Sequence, residues 1–188
     1  MAQQLLTLVA HRLEKVVIGN SLEDTSEMGP LVHSGHLAHV QHAVQGLEAQ
    51  GADISRFGRL PDLDGWFMQP TLISGLPPER TVEEIFGPVA AVHAFRSDEE
   101  GIALANQTPY GLAAYVFGDE KHAWRVARRI RAGNIKINGV SMLNLNPAAP
   151  RPAWGLSGLG DEGTRETMEF FRGHRLIGVA GRPGDGPE

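Results

Sequence analysis

The sequence reads as an α/β protein: a mostly parallel sheet whose strands are joined by crossover helices. Two observations carry that reading. Short apolar runs with period-2 alternation take turns along the chain with segments whose apolar residues recur every three or four positions. Helix punctuation falls between them: Ser97-x-x-Glu100 is a capping box, and Gly51 and Gly133 stand where helices should close. Strands separated by helices pair in parallel through right-handed crossovers.

The elements follow in order. Leu5, Val9, Leu13 and Val16 step along one face of a helix over Gln3–Val17, stopped by Gly19-Asn20. A second helix, His36–Gln50, carries Leu37, Val40, Val44 and Leu47 on its inner stripe. Ala52–Phe57 and Trp66–Ile73 read as strands around a turn-rich loop. Glu83-Glu84 opens another strand, which Phe86-Gly87-Pro88 interrupts and Val89–Phe95 resumes. Glycine permits a close backbone approach there, and proline withholds a ladder hydrogen bond. The capping box starts a helix running to about Asn106. Strand Leu112–Phe117, helix Glu120–Ala132 and strand Ile135–Val140 come next. Ser141–Gly163, rich in Asn, Pro and Gly, reads as one long ordered loop, a type of segment that is usually functional. Thr164–Arg172 is a short helix, His174–Ala180 (174–180) a last strand, and 181–188 a disordered tail.

Composition limits the function classes. The 188 residues are a one-domain length, 1–180 excluding the tail, able to bury about 70% of the unfolded surface. The net charge is −5 with both signs mixed, which leaves no basic footprint for nucleic acid. No apolar run is long enough to span a membrane, and no basic cluster precedes the first one, so the expected location is cytoplasmic. The chain has no cysteine, which excludes disulfides, thiolate metal sites and cysteine nucleophiles.

Candidate chemistry begins with the acids at the mouth of the interrupted strand, where α/β proteins bind ligands. His33, His36, His39 and His42 recur every three residues. Each step turns about 300° around a helix, so the four rings diverge and cannot meet one ion. They read as a solvated or partly buried helix face. Arg125, Arg128, Arg129 and Arg131 read as a solvated basic face. Gly155–Gly163 is glycine-rich but follows a loop rather than a strand, so it is no dinucleotide fingerprint.

Six motifs in one order resemble the aldehyde dehydrogenase superfamily. They are Met28-Gly29-Pro30-Leu31; Trp66-Phe67-Met68-Gln69-Pro70-Thr71; Glu83-Glu84-Ile85-Phe86-Gly87-Pro88-Val89; Asn106–Leu112; Ala132-Gly133 with Ile137-Asn138; and Ser157-Gly158-Leu159-Gly160. The resemblance runs from about Leu5 to Val179 and covers only the C-terminal part of such an enzyme. It implies the catalytic-domain fold without the dinucleotide-binding domain. By that resemblance Glu84 would bond the nicotinamide ribose and Phe86 would pack beside the nicotinamide ring. Ser141, Met142 and Arg151 would belong to the substrate pocket. Arg151 stands where the family usually has a pocket-lining phenylalanine, and Pro152 and Ala153 replace two glycines. An arginine there would suit an anionic substrate.

The family attacks its aldehyde with a cysteine thiolate, passes hydride to NAD(P) and hydrolyses the thioester with a glutamate base. Both groups precede the matched region, and no serine sits in a G-x-S-x-G setting to replace the thiolate. The expectation is therefore a chain inactive alone, with no cofactor of its own, that uses NAD or NADP once a separate N-terminal chain completes it. The rival expectation is a non-catalytic binding or oligomerisation module. In either case homo-oligomerisation is expected, with strand His174–Ala180 as the pairing edge.

Overall fold

A computed structural model describes residues 2–140, 149–173 and 175–177. The α/β class stands. The chain divides into two compact units, one through Thr108 and one from Pro109 onward.

The first unit opens with α1 (Ala2–Leu13), shorter than the periodicity predicts. None of its residues is buried: Leu5 and Leu8 are exposed, while Leu6, Val9 and Leu13 are half-covered. Its C-terminal end is tied by Arg12 to Glu27. That bond, joined by one from the Val17 N–H, holds the Glu27 carboxyl below its usual range. Ile18 and Met28 then form an isolated parallel bridge.

Helix α2 (Ser34–Ala49) begins two residues before the predicted start, because His33 rather than a hydroxyl caps it. The His33 ring accepts the His36 N–H at 3.0 Å. Strands β1 (Asp53–Arg56), β2 (Thr71–Ser74) and β3 (Val89–Ala91) form one sheet. β1 runs antiparallel to β2, with Asp53 opposite Ser74, and β2 runs parallel to β3, with Thr71 opposite Val89. Val40 and Val44 of α2 pack with Ala52, Met68 and Ile73 as the core. Val40 is 0% and Ile73 1% exposed. Ile85 and Val89 are partly buried against the same cluster. Helix α3 (Asp98–Ala105) starts at the predicted capping box: Ser97 Oγ accepts the Glu100 N–H, and Glu100 returns the bond to the Arg96 N–H at 2.8 Å.

Two strand assignments contract. Trp66–Pro70 is extended but makes no ladder, since β2 starts only after Pro70. Glu83-Glu84 opens no strand either; β3 begins after Pro88, whose ring nitrogen has no hydrogen to donate.

The second unit contains β4 (Tyr110–Gly111) and a parallel unit of β5 (Ala113–Val116), α4 (Glu120–Ala127) and β6 (Asn134–Ile137). Ala113 pairs with Asn134 and Val116 with Ile137. Asp119 caps α4, and the buried Ala123 and Ala127 form its inner stripe. Asn138 ends β6 in the left-handed region, at φ 53°, and its amide bonds both the N–H and the C=O of Gly118. The segment 149–163, predicted as loop, holds three two-residue strands. β7 (Arg151–Pro152) pairs with β9 (Asp161–Glu162), and β8 (Trp154–Gly155) pairs with β4. Helix α5 (Thr164–Phe170) follows. The strands thus lie in four small sheets, and the parallel pairing resides in β2–β3 and β5–β6. Arg175–Ile177 form no strand; the rest of 174–180 and the tail 181–188 lie outside the described residues.

Gly87 shows how tightly the first unit is packed: a Cβ there would stand 2.9 Å from a methyl of the fully buried Val40. Gly46, on the exposed side of α2, has nothing within 4 Å. Gly87→Ala is expected to destabilise by about 1–3 kcal/mol through overpacking, whereas Gly46→Ala should stabilise by roughly 0.5–1 kcal/mol through helix entropy. Urea midpoints of the two variants check the contrast, and a tolerated Gly87→Ala would refute the packing.

Candidate active site

The interrupted strand folds as an irregular strap leading from a 3₁₀ turn, Pro78–Arg80, to the start of β3. Thr81 anchors its entry: the hydroxyl donates to the Pro78 carbonyl at 3.1 Å or bonds the His93 Nε2 at 2.7 Å. Its exit is anchored by the Pro88 carbonyl, which accepts the Thr71 N–H at 2.8 Å. Between these points the side chains alternate. Ile85 and Gly87 turn toward the core, while Glu84 and Phe86 turn out; the Phe86 ring is 70% exposed. Glu83 is exposed as well, so both site residues expected from sequence lie accessible on the strap, with Glu84 in the wall of the cleft described next.

The strap borders a cleft of about 600 Å³ between α2 and the β2–β3 strands. His39, Gln50, Arg80, Glu83 and Glu84 supply its polar wall, and Ile73, Ile85 and Val89 its floor. Among the described residues the Glu84 carboxylate meets no cation and no hydrogen-bond donor, so its oxygens are free acceptors. Two vicinal hydroxyls fit such a carboxylate, and the exposed Phe86 ring offers an apolar face beside it. The residues present therefore suit the ribose end of a dinucleotide. No group of metal-ligating side chains occurs among the described residues.

Two histidines matter more here than the sequence suggests. His39 lines the cleft, and His36 reaches across to the strap: its Nε2 lies 2.5 Å from the Phe86 carbonyl oxygen. Their three-residue spacing put them on neighbouring sides of a helix, but no local signal indicated which loop they face.

In the second unit, Arg151 lies in β7 opposite Glu162 in register. The residue is half-buried, and its Nε is buried without an acceptor among the described residues. Gly133 accounts for the close approach here, since a Cβ on it would stand 1.8 Å from the Pro152 carbonyl oxygen. Asn134 Nδ2 donates to that carbonyl at 3.1 Å and so ties β6 to β7. Ser141 and Met142 lie outside the described residues.

Comparison with known proteins agrees with this architecture. A model of the aldehyde dehydrogenase family matches residues 1–177. Betaine aldehyde dehydrogenase of Cereibacter sphaeroides (strain ATCC 17029) is 36% identical over 186 residues, which are 97% of this chain and 38% of that protein. The non-phosphorylating aspartate-semialdehyde dehydrogenase of Halomonas elongata is 36% identical over 157 residues, 82% of this chain and 31% of that one. Betaine aldehyde dehydrogenase of Staphylococcus aureus, solved in complex with NAD+, superposes with a TM-score of 0.81 at 32% identity, over 90% of this chain and 35% of that one. The chain thus spans about a third of the relatives it matches. It belongs to the aldehyde dehydrogenase family.

Proposed function

We propose that this chain supplies the C-terminal share of an NAD(P)-dependent aldehyde dehydrogenase site, which a separate N-terminal chain completes. The observation that carries the reading is Glu84: a carboxylate that meets no partner among the described residues, in the wall of an open cleft and two residues from an exposed Phe86. NAD or NADP, when bound, accepts the hydride. The roles of this chain are to orient and to exclude water. Glu84 accepts hydroxyl hydrogen bonds and Phe86 covers an apolar ring face. The chain has no cysteine, so in this reading the completing chain supplies the thiolate, and the general base with it.

Arg151, with its buried unaccepted Nε, suits an aldehyde that carries a carboxylate. Aspartate semialdehyde, which the Halomonas relative's name specifies, is of that class. A second reading has its own support. Leu159, Phe170, Phe171, Leu176 and Ile177 are all more than two-thirds exposed, and such apolar surface favours an oligomerisation module.

Three measurements test these readings. The isolated chain should show no NAD(P)-linked oxidation of any aldehyde above a buffer control. Mixing it with an N-terminal aldehyde dehydrogenase chain should restore turnover, fastest with carboxylate-bearing aldehydes. Activity of the chain alone would overturn the proposal.

In the reconstituted enzyme, Glu84→Gln should lower kcat roughly tenfold or more, because a charge-assisted bond contributes about 1.5–3 kcal/mol. Unchanged kinetics would leave Glu84 with a purely structural role.

Light scattering at tens of micromolar should give a dimer or larger, and Ile177→Lys should weaken it without loss of helix. A clean 20.3 kDa monomer would dispose of self-association.

A further inference from the structure

The cofactor-facing pair on the strap is set by backbone geometry, and the strap is sparsely held where it matters. Its ends are anchored at Thr81 and Pro88. Ile85 packs on the core and Gly87 on Val40 through apolar contact, and the Gly87 carbonyl accepts the Val89 N–H, but none of these holds the carbonyl of the preceding Phe86–Gly87 peptide. Gly87 has the widest conformational freedom in the segment, directly after Phe86. Swinging the Phe86–Gly87 peptide would move the Phe86 ring and, through it, the Glu84 carboxylate. One polar contact opposes that motion: the His36 Nε2 at 2.5 Å from the Phe86 carbonyl oxygen.

A carbonyl oxygen only accepts, so the proton of the neutral ring resides on Nε2. The opposite nitrogen, Nδ1, is buried and has no hydrogen-bond partner among the described residues, which leaves the contact to Phe86 as the polar contact this ring makes among them. The ring is itself presented by a preset helix start. The His36 N–H is taken by the His33 ring at 3.0 Å and by the His33 carbonyl at 3.1 Å, and one turn further on the buried Val40 packs beneath Gly87. The first two turns of α2 therefore contact two consecutive strap residues, by a hydrogen bond and by van der Waals packing.

We propose that His36 is a positioning residue: by donating Nε2–H to the Phe86 carbonyl it fixes the Phe86–Gly87 peptide and so orients Glu84 and Phe86. Its functional consequence rests on those two facing the cofactor, whereas the contact itself is testable in the isolated chain. Glutamine places an amide nitrogen close to where the histidine Nε2 sits, and asparagine places one close to the Nδ1 position. His36→Gln should consequently preserve the hydrogen bond, while His36→Asn and His36→Ala should lose it.

The experiment is amide hydrogen exchange by NMR on the unmodified chain and the three variants, with nitrogen-15 spectra of the wild-type imidazoles. The expected result is an Nε2–H tautomer for His36. The Thr71 and Val89 amides, which bond the Pro88 and Gly87 carbonyls of the strap, should exchange roughly five- to tenfold faster in the Ala and Asn variants, as loss of one hydrogen bond predicts. They should stay within about twofold of wild type in the Gln variant, and the Val44 amide inside α2 should hold steady in all. Equal acceleration at Val44, equal behaviour of Gln and Asn, or an Nδ1–H tautomer would each overturn the proposal. The tautomer decides alone if a variant fails to fold. A bond confirmed here together with Glu84→Gln kinetics equal to wild type would refute the cofactor reading and leave the positioning contact standing.

Discussion

The packing of the Gly87 backbone onto Val40 is the constraint on which the candidate site depends. Helix α2 can reach the core of its unit only if its inner stripe, Val40 and Val44, meets Ile73 of β2 and the strap beside it. Any side chain at position 87 would push that helix away, since Val40 has no open space to yield into. With the strap on the helix, Glu84 and Phe86 remain exposed, and His36 comes within bonding distance of the Phe86 carbonyl. One close approach thus places both a hydrophobic floor and a polar rim.

The same economy governs the second unit. Gly133 lets β6 start against the Pro152 carbonyl, and the Asn134 side chain donates to that same carbonyl, so the close approach and the hydrogen bond join β6 to the short β7 strand at one place. Covering is uneven. α4 buries Ala123 and Ala127, whereas Tyr115, Phe117 and Trp124 remain about half exposed or more. Parallel strands ordinarily have both faces covered, and two strands alone bury little. That imbalance accords with a chain that spans just over a third of its relatives' length.

What was legible in the sequence was local. The capping box at Ser97 and Glu100 and the glycine after α2 depend on residues within a turn or two of one another, and each reappears where expected. Family membership was legible for the same reason, since motifs are local strings. Glu84 and Phe86 were singled out for that reason too, by the motif they share with the family and by no periodicity of their own.

Tertiary structure decided the rest. Whether Glu83-Glu84 belonged to a strand depended on whether a neighbour was free to pair with it, and β2 pairs only from Thr71 onward. The histidines of α2 illustrate the limit most plainly. Their spacing ruled out convergence on one ion, but 50 residues separate His36 from the carbonyl it bonds, and no pattern within a helix names a partner that distant. Sequence determined which faces exist, because side-chain periodicity follows from backbone geometry alone. The fold decided what each face meets, because that depends on how the whole unit buries its apolar surface.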